Sequence, residues 1–184
     1  NNMPQKKKIL FILHIPPPVH GSSIVGKQIK DSVLINESCK TEYINLGTST
    51  SVKDIGGWNL KKTLIYLNIL RAILKKVIFN KYDLIYIAPT VSKFGFYKDF
   101  IAVFLIKFFH KKVVFHLHNK GVSDRKKNKV NNFLYKLFFK NVDVILLSKL
   151  LYNDISEFVP ENKIHVCPNG IEIIPNLKSL LMNK

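Results

Sequence analysis

The chain has 184 residues, 47% of them apolar, and carries 29 basic against 12 acidic side chains for a net charge of +17. Its length fits one domain, and its apolar content is enough for a core, which excludes an intrinsically disordered chain. The charge is almost all lysine, since only Arg71 and Arg125 are arginines; it favours an anionic partner without choosing among nucleic acid, phosphorylated ligand and acidic lipid, and a lysine-rich proteome would also produce it.

Ile9 to Leu13 form a short unbroken apolar run, the pattern of a strand covered on both faces. Lys6, Lys7 and Lys8 ahead of it imitate a signal peptide, but the run is too short and soon meets Pro16, Pro17 and Pro18. These prolines predict an extended exit from the sheet. Gly21 then permits a turn, and Ser22 or Ser23 can cap a helix whose face is marked by Val25, Ile29 and Val33. Unpartnered N–H groups at that helix start would point at an anion.

Glu42 to Leu46 reads as the second strand and Gly47 to Trp58 as a polar loop. Asn59 caps a helix to about Phe79, with Leu60, Leu67, Leu70, Ile73, Leu74 and Val77 as the core face. Lys61, Lys62, Arg71, Lys75 and Lys76 share the other half with Leu64, Ile65 and Ile69. Such a mixture suits a membrane surface. The preferred reading is a helix flanking a sheet, its extra apolar side chains covered by neighbours.

Asp83 to Pro89 is the third strand, Thr90 to Gly95 the loop beyond it, Phe96 to Phe109 the third helix and Lys112 to Asn119 the fourth strand. A basic loop, Gly121 to Asn128, leads to a helix over Val130 to Phe139 and a fifth strand over Val142 to Leu147, with Ser148 at its end. A short helix to about Phe158 and a sixth strand, Lys163 to Cys167, precede the turn Pro168-Asn169-Gly170. This alternation predicts an α/β, Rossmann-like three-layer fold, a parallel sheet with helices on both faces. Its ligand crevice gathers Pro16 to Ser23, Ala88 to Ser92, His116 to Lys120, and Ser148 beyond the strands' carboxyl ends.

The dinucleotide fingerprint G-x-G-x-x-G is absent. Gly21-Ser-Ser-Ile-Val-Gly26-Lys27 nearly matches a P-loop, but Gln28 stands where magnesium needs a hydroxyl, so the spacing is read as chance. Cys39 and Cys167 lie far apart and indicate neither zinc nor a disulfide framework, which fits a reducing, cytoplasmic setting. No apolar stretch is long enough for a membrane span. His116 and His118 are read as pointing to opposite faces of the fourth strand, leaving only His118 in the crevice, where it could donate a hydrogen bond or carry charge. His14 is read as structural, and His20 as a loop residue in the anion-binding turn.

Four segments then acquire a joint meaning. Lys8 to Ser23, Phe115-His-Leu-His-Asn119, Val142-Asp-Val-Ile-Leu-Leu-Ser148 and Lys163-Ile-His-Val-Cys-Pro-Asn-Gly-Ile-Glu172 resemble, in order and spacing, the N-terminal domain of family 4 (group 1) retaining glycosyltransferases, half of a GT-B fold. The resemblance implies an acceptor-binding domain over residues 8–174, a disordered or expression-derived tail over 1–7, and the start of an interdomain linker over 175–184, with the C-terminal donor domain absent. It implies transfer of a sugar from a nucleotide-diphosphate donor to a saccharide or lipid-linked acceptor in surface polysaccharide synthesis, with no cofactor and no metal. His118 would be the catalytic residue lining the cleft; Gly21, Ser22, Ser23, Thr90, Asn119, Lys120 and Ser148 would bind substrate, and Asn169 and Gly170 would form the hinge. His20-Gly21 departs from the paired glycines of many members. Read with the family, the charge suggests peripheral contact with an anionic membrane at its inner face and no specific nucleic acid. The alternative is a non-enzymatic basic module binding nucleic acid or phosphorylated ligands.

Overall fold

A computed structural model describes residues 5–49 and 59–170. Residues 50–58 of the expected polar loop, the start of the expected tail, and residues 171–184, which hold the expected domain end and linker, lie outside the described residues. The strands are β1 (Lys8–Leu13), β2 (Lys40–Asn45), β3 (Leu84–Ile87), β4 (Val113–Leu117), β5 (Asp143–Leu146) and β6 (Ile164–Val166). They form one sheet in the order β2-β1-β3-β4-β5-β6, with every neighbouring pair parallel. The helices are α1 (Gly21–Asp31), α2 (Val33–Ser38), α3 (Leu60–Phe79), α4 (Lys93–Phe108), α5 (Val122–Arg125) and α6 (Lys129–Phe139), with short 3-10 turns at Lys149–Asp154 and Glu161–Lys163.

Alternation along β1 divides the core between the two faces of the sheet. Leu10 and Ile12 point to one face and pack in the main core with Ile73 of α3, Phe96 and Ile106 of α4, and Phe138 and Phe139 of α6. Phe11 and Leu13 point to the other, against Ile29 of α1 and Ile35 of α2. The order in which strands are added reverses at β1: β2 lies on one side of it and β3 on the other. Right-handed crossovers then place α1 and α2 on one face and α3, α4 and α6 on the opposite face.

Several expected boundaries shift for local reasons. The first helix does not run through Val33. It ends before Ser32, whose hydroxyl accepts the Ile35 N–H and starts α2. His20, not a serine, is the N-cap of α1, and the proline triplet contains two cis bonds, Pro16–Pro17 and Pro17–Pro18, instead of a simple extended path. The expected loop after Gly121 contains α5, and the expected helix after Ser148 is a 3-10 turn. On α3 the core face is Tyr66, Ile69, Ile73 and Val77, whereas Leu60, Leu64 and Leu67 are exposed. Ile73 and Val77 of the expected stripe lie in this face and Leu60 and Leu67 do not, because so many positions of this helix are aliphatic that the pattern alone selects no unique face.

Gly26 explains the chance P-loop spacing. It lies within α1, and a Cβ there would sit 2.0 Å from the His14 carbonyl oxygen, so the glycine lets the helix press against the end of β1. Lys27 pairs with Asp31 on the exposed side of the helix at 2.6 Å. Gly26→Ala is expected to cost about 1–3 kcal/mol in urea unfolding, as overpacking does; a change under about 0.5 kcal/mol, the level of an indifferent surface substitution, refutes the close approach.

Candidate functional site

At the reversal point the loops leaving β1 and β3 diverge to opposite faces, and such a gap is where an open parallel sheet takes its ligand. A hollow of about 270 Å³ opens there. Its floor is His14, Ala88 and Pro89, and its rim is Thr90, His118, Asn119, Gly21 and Ser22. Gly21 and Ser22 begin α1, whose first N–H groups have no partner within the helix, so the positive end of the helix is turned to this space. A Cβ at Gly21 would meet nothing within 4 Å, leaving room beside the backbone for a ligand.

The rim is braced from beneath. Ser23 is fully buried: its hydroxyl accepts the His20 N–H at 2.9 Å and lies 2.9 Å from the Pro18 carbonyl, to which it can donate. It builds the turn and does not line the hollow. Ser22 Oγ lies 3.0 Å from His20 Nδ1. The Thr90 N–H donates to Oδ2 of Asp99 at 2.8 Å, and Asp99, fully buried on α4, holds Lys98 Nζ 2.6 Å from its other oxygen. Asn119 donates to Ser92 Oγ at 3.1 Å and accepts the Val91 N–H at 3.4 Å, joining the β4 end to the β3 loop. Gly121 follows in a positive-φ conformation (130°), with Ser92 only 3.1 Å from where its Cβ would be.

His116 and His118 share a face. Residues two apart in a strand point the same way, so the expected opposite orientation is corrected. Their rings are 4.2 Å apart, and His116 Nδ1 is bonded to the Tyr86 hydroxyl. The His14 ring, in the floor, meets the His20 ring edge to face at 5.7 Å. Burial pushes His14 and His116 down to about 4; for His14 the Asp99 carboxylate pulls in the opposite direction, and for His116 the neighbouring His118 adds to the fall. Burial also lowers His118 and His20. Burial thus favours the neutral form of all four rings, which makes His118 a hydrogen-bonding imidazole more than a cation.

Residues 33–173, more than half of the chain, match the family model described as Glycosyltransferase Family 4. The chain belongs to glycosyltransferase family 4. No curated protein matches it. The matched span begins after α1, so the β1 loop and the α1 end of the hollow stand on their own geometry.

In this family 4 glycosyltransferase domain, Gly21, Ser22, Thr90, His118 and Asn119 of the expected site line one hollow. The others do not line it. Lys120 is exposed, and Ser148 accepts the Leu150 N–H at 3.3 Å to cap the turn at Lys149–Asp154. Asn169 and Gly170 border a separate apolar slot of about 330 Å³ between the sheet, α1 and α2, with Phe11 and Tyr86 among its walls. Sequence reading missed Asp99 as the brace and His14 as part of the floor. A single carboxylate in the otherwise basic and apolar α4 was the available signal for the first. Among the described residues no group of three or more His, Cys, Asp or Glu side chains is placed to hold a metal ion.

Asp154 ties the loop after His118 to the 3-10 turn that follows β5. Its carboxylate accepts the N–H groups of Gly121, Val122 and Ser123 at 2.9, 3.1 and 3.0 Å, and the Ser123 hydroxyl at 2.8 Å. Burial alone would raise its pKa, yet these bonds, led by Ser123, hold it below the ordinary carboxylate range. Asp154→Ala is expected to destabilise the domain by about 2–3 kcal/mol, because it strands donors of a charge-assisted network. Denaturant unfolding at pH 7 tests this, and a loss below about 0.5 kcal/mol contradicts it.

Proposed function

We propose that the chain is the N-terminal, acceptor-binding part of a retaining glycosyltransferase that moves a sugar from a nucleotide-diphosphate donor to a saccharide or lipid-linked acceptor in surface polysaccharide synthesis. The observation that carries this reading is the hollow at the reversal of strand order, where the start of α1 faces His118 across a braced floor. A departing nucleoside diphosphate gains negative charge, and oriented backbone N–H groups at a helix start are suited to receive it. In the proposal, Gly21 and Ser22 approach the diphosphate, neutral His118 hydrogen-bonds a hydroxyl of the transferred sugar, and Thr90 and Asn119 position the acceptor. Asn169 and Gly170 serve as the hinge toward a donor-binding domain, and no resident cofactor or metal takes part. The setting proposed is the cytoplasm.

Titrating the isotope-labelled chain with UDP-glucose as probe tests the assignment by NMR. Weak binding is expected, with amide shifts concentrated at Gly21, Ser22, Thr90, His118 and Asn119 and no sugar transfer. Shifts clustered elsewhere overturn the assignment of the hollow, and sustained turnover by this chain alone overturns its description as one part of an enzyme.

A further inference from the structure

We propose that the outer face of the layer formed by α3, α4 and α6 docks on an anionic lipid bilayer. Along α4, Phe94, Tyr97, Ile101, Phe104 and Phe108 are all exposed. Their spacing of three, four, three and four residues draws one apolar stripe down the whole helix, on the side away from the buried Phe96, Ala102, Val103 and Ile106. Beside it, α3 exposes Leu60, Leu64 and Leu67, and α6 exposes Val130 and Phe133. Phe79 and Phe108, at the last residues of α3 and α4, are 78% and 69% exposed. Scattered surface aliphatics are ordinary; a stripe this long with apolar neighbours on both flanks marks an interaction surface.

Charge selects the partner. Within α3, α4 and α6 the only acidic residue is Asp99, which is fully buried. Lys61, Arg71, Lys75, Lys93, Lys129 and Lys136 are exposed on the same helices. Lys107 does not belong with them, because its Nζ is occupied by the carbonyls of Leu137, Phe138 and Lys140 at 2.9, 2.6 and 2.7 Å. A second copy of the chain would set this cationic face against its like. Nucleic acid would satisfy the lysines and leave the phenylalanines and leucines in water. An anionic bilayer accepts both, with apolar side chains entering the acyl boundary while lysines meet the headgroups. No helix of the described residues is long and apolar enough to cross a membrane, so the layer lies on the surface. The stripe begins at Phe94, four residues beyond Thr90 on the rim of the hollow, so a docked bilayer lies close to the site.

This docking rests on exposure and charge and not on the sugar-transfer reading, and its test leaves that reading untouched. The chain is sedimented with vesicles of phosphatidylcholine alone and of phosphatidylcholine mixed equally with phosphatidylglycerol. Binding to the mixed vesicles alone is expected, weakened by salt. Phe104→Ser/Phe108→Ser, compared at a temperature where its melting curve shows it folded, should bind at least about tenfold more weakly; Lys61→Glu/Lys75→Glu should abolish binding. Leu34→Ser, on the opposite face, should change nothing. Equal binding to neutral and mixed vesicles, full binding by the phenylalanine variant, dimerisation that the same substitutions abolish, or binding to a random DNA oligonucleotide but not to vesicles would each overturn the proposal.

Discussion

Asp99→Ala is expected to lower the stability of the domain by about 3–5 kcal/mol, the cost of leaving one charge of a buried pair without its partner. Asp99 is fully buried and the Lys98 side chain nearly so; their charged atoms are 2.6 Å apart, while the Lys98 ammonium also lies 5.2 Å from the centre of the Tyr66 ring. The contact is ionic more than a well-aligned hydrogen bond, since neither Lys98 Nζ nor Asp99 Oδ1 has a directed hydrogen-bond partner. Removing both charges should therefore cost less than removing one. Lys98→Met/Asp99→Asn is expected to be more stable than Asp99→Ala, because the amide still accepts the Thr90 N–H and no ammonium is stranded. Urea unfolding of both variants decides the matter. A loss under about 1 kcal/mol for Asp99→Ala would be below the range for a broken buried pair and would remove it from the account. The same substitution frees the Thr90 backbone, so NMR shifts caused by UDP-glucose at Thr90 and Asn119 should fade in Asp99→Ala and persist in the double variant.

Acidification below neutrality should destabilise the domain well before its carboxylates titrate. His14 and His116 sit at about 4 in the folded chain against an ordinary 6.5, so between those values the unfolded chain binds more protons than the folded one. Their contribution to stability is complete above about pH 6.5, falls as the pH falls, and changes no further below about 4. By pH 5 each ring is expected to cost about 2 kcal/mol. Glu42 does not interfere in this window, because bonds from Lys76, Lys8 and Tyr82 outweigh its burial and hold it at about 2. The midpoint of urea unfolding measured between pH 7 and 5 is the test, with His14→Gln/His116→Gln as reference. The variant should be less stable at pH 7 and have a flatter pH dependence. An equal slope in the two proteins shows that the rings are not the source.

Both results concern parts of the molecule that the sequence declared unevenly. Six parallel strands were legible because buried strands such as Ile9–Leu13 and Leu84–Ile87 are short apolar runs separated by helical stretches, a pattern set by local periodicity. The loops beyond the strand ends were legible for the same reason: once β1, β3 and β4 are parallel, Gly21, Ser22, Thr90, His118 and Asn119 must come to one edge. The break at Ser32 was available too, as a serine three residues before the Ile35 N–H it caps, but the apolar spacing through Val33 hid it.

What only the tertiary structure decided depends on contacts between distant segments. Whether Ser23 faces a ligand or props the turn is settled by the Pro18 carbonyl, and whether Thr90 is held in place is settled by Asp99. The lowered titration of His14 and His116 is a property of burial among neighbours and has no local signature. The orientation of α3 is the plainest case. Its sequence is aliphatic nearly all round, so periodicity permits several rotations. Packing against β1, β2 and α4 selects Tyr66, Ile69, Ile73 and Val77 for the core and leaves Leu60, Leu64 and Leu67 facing outward beside the stripe of α4.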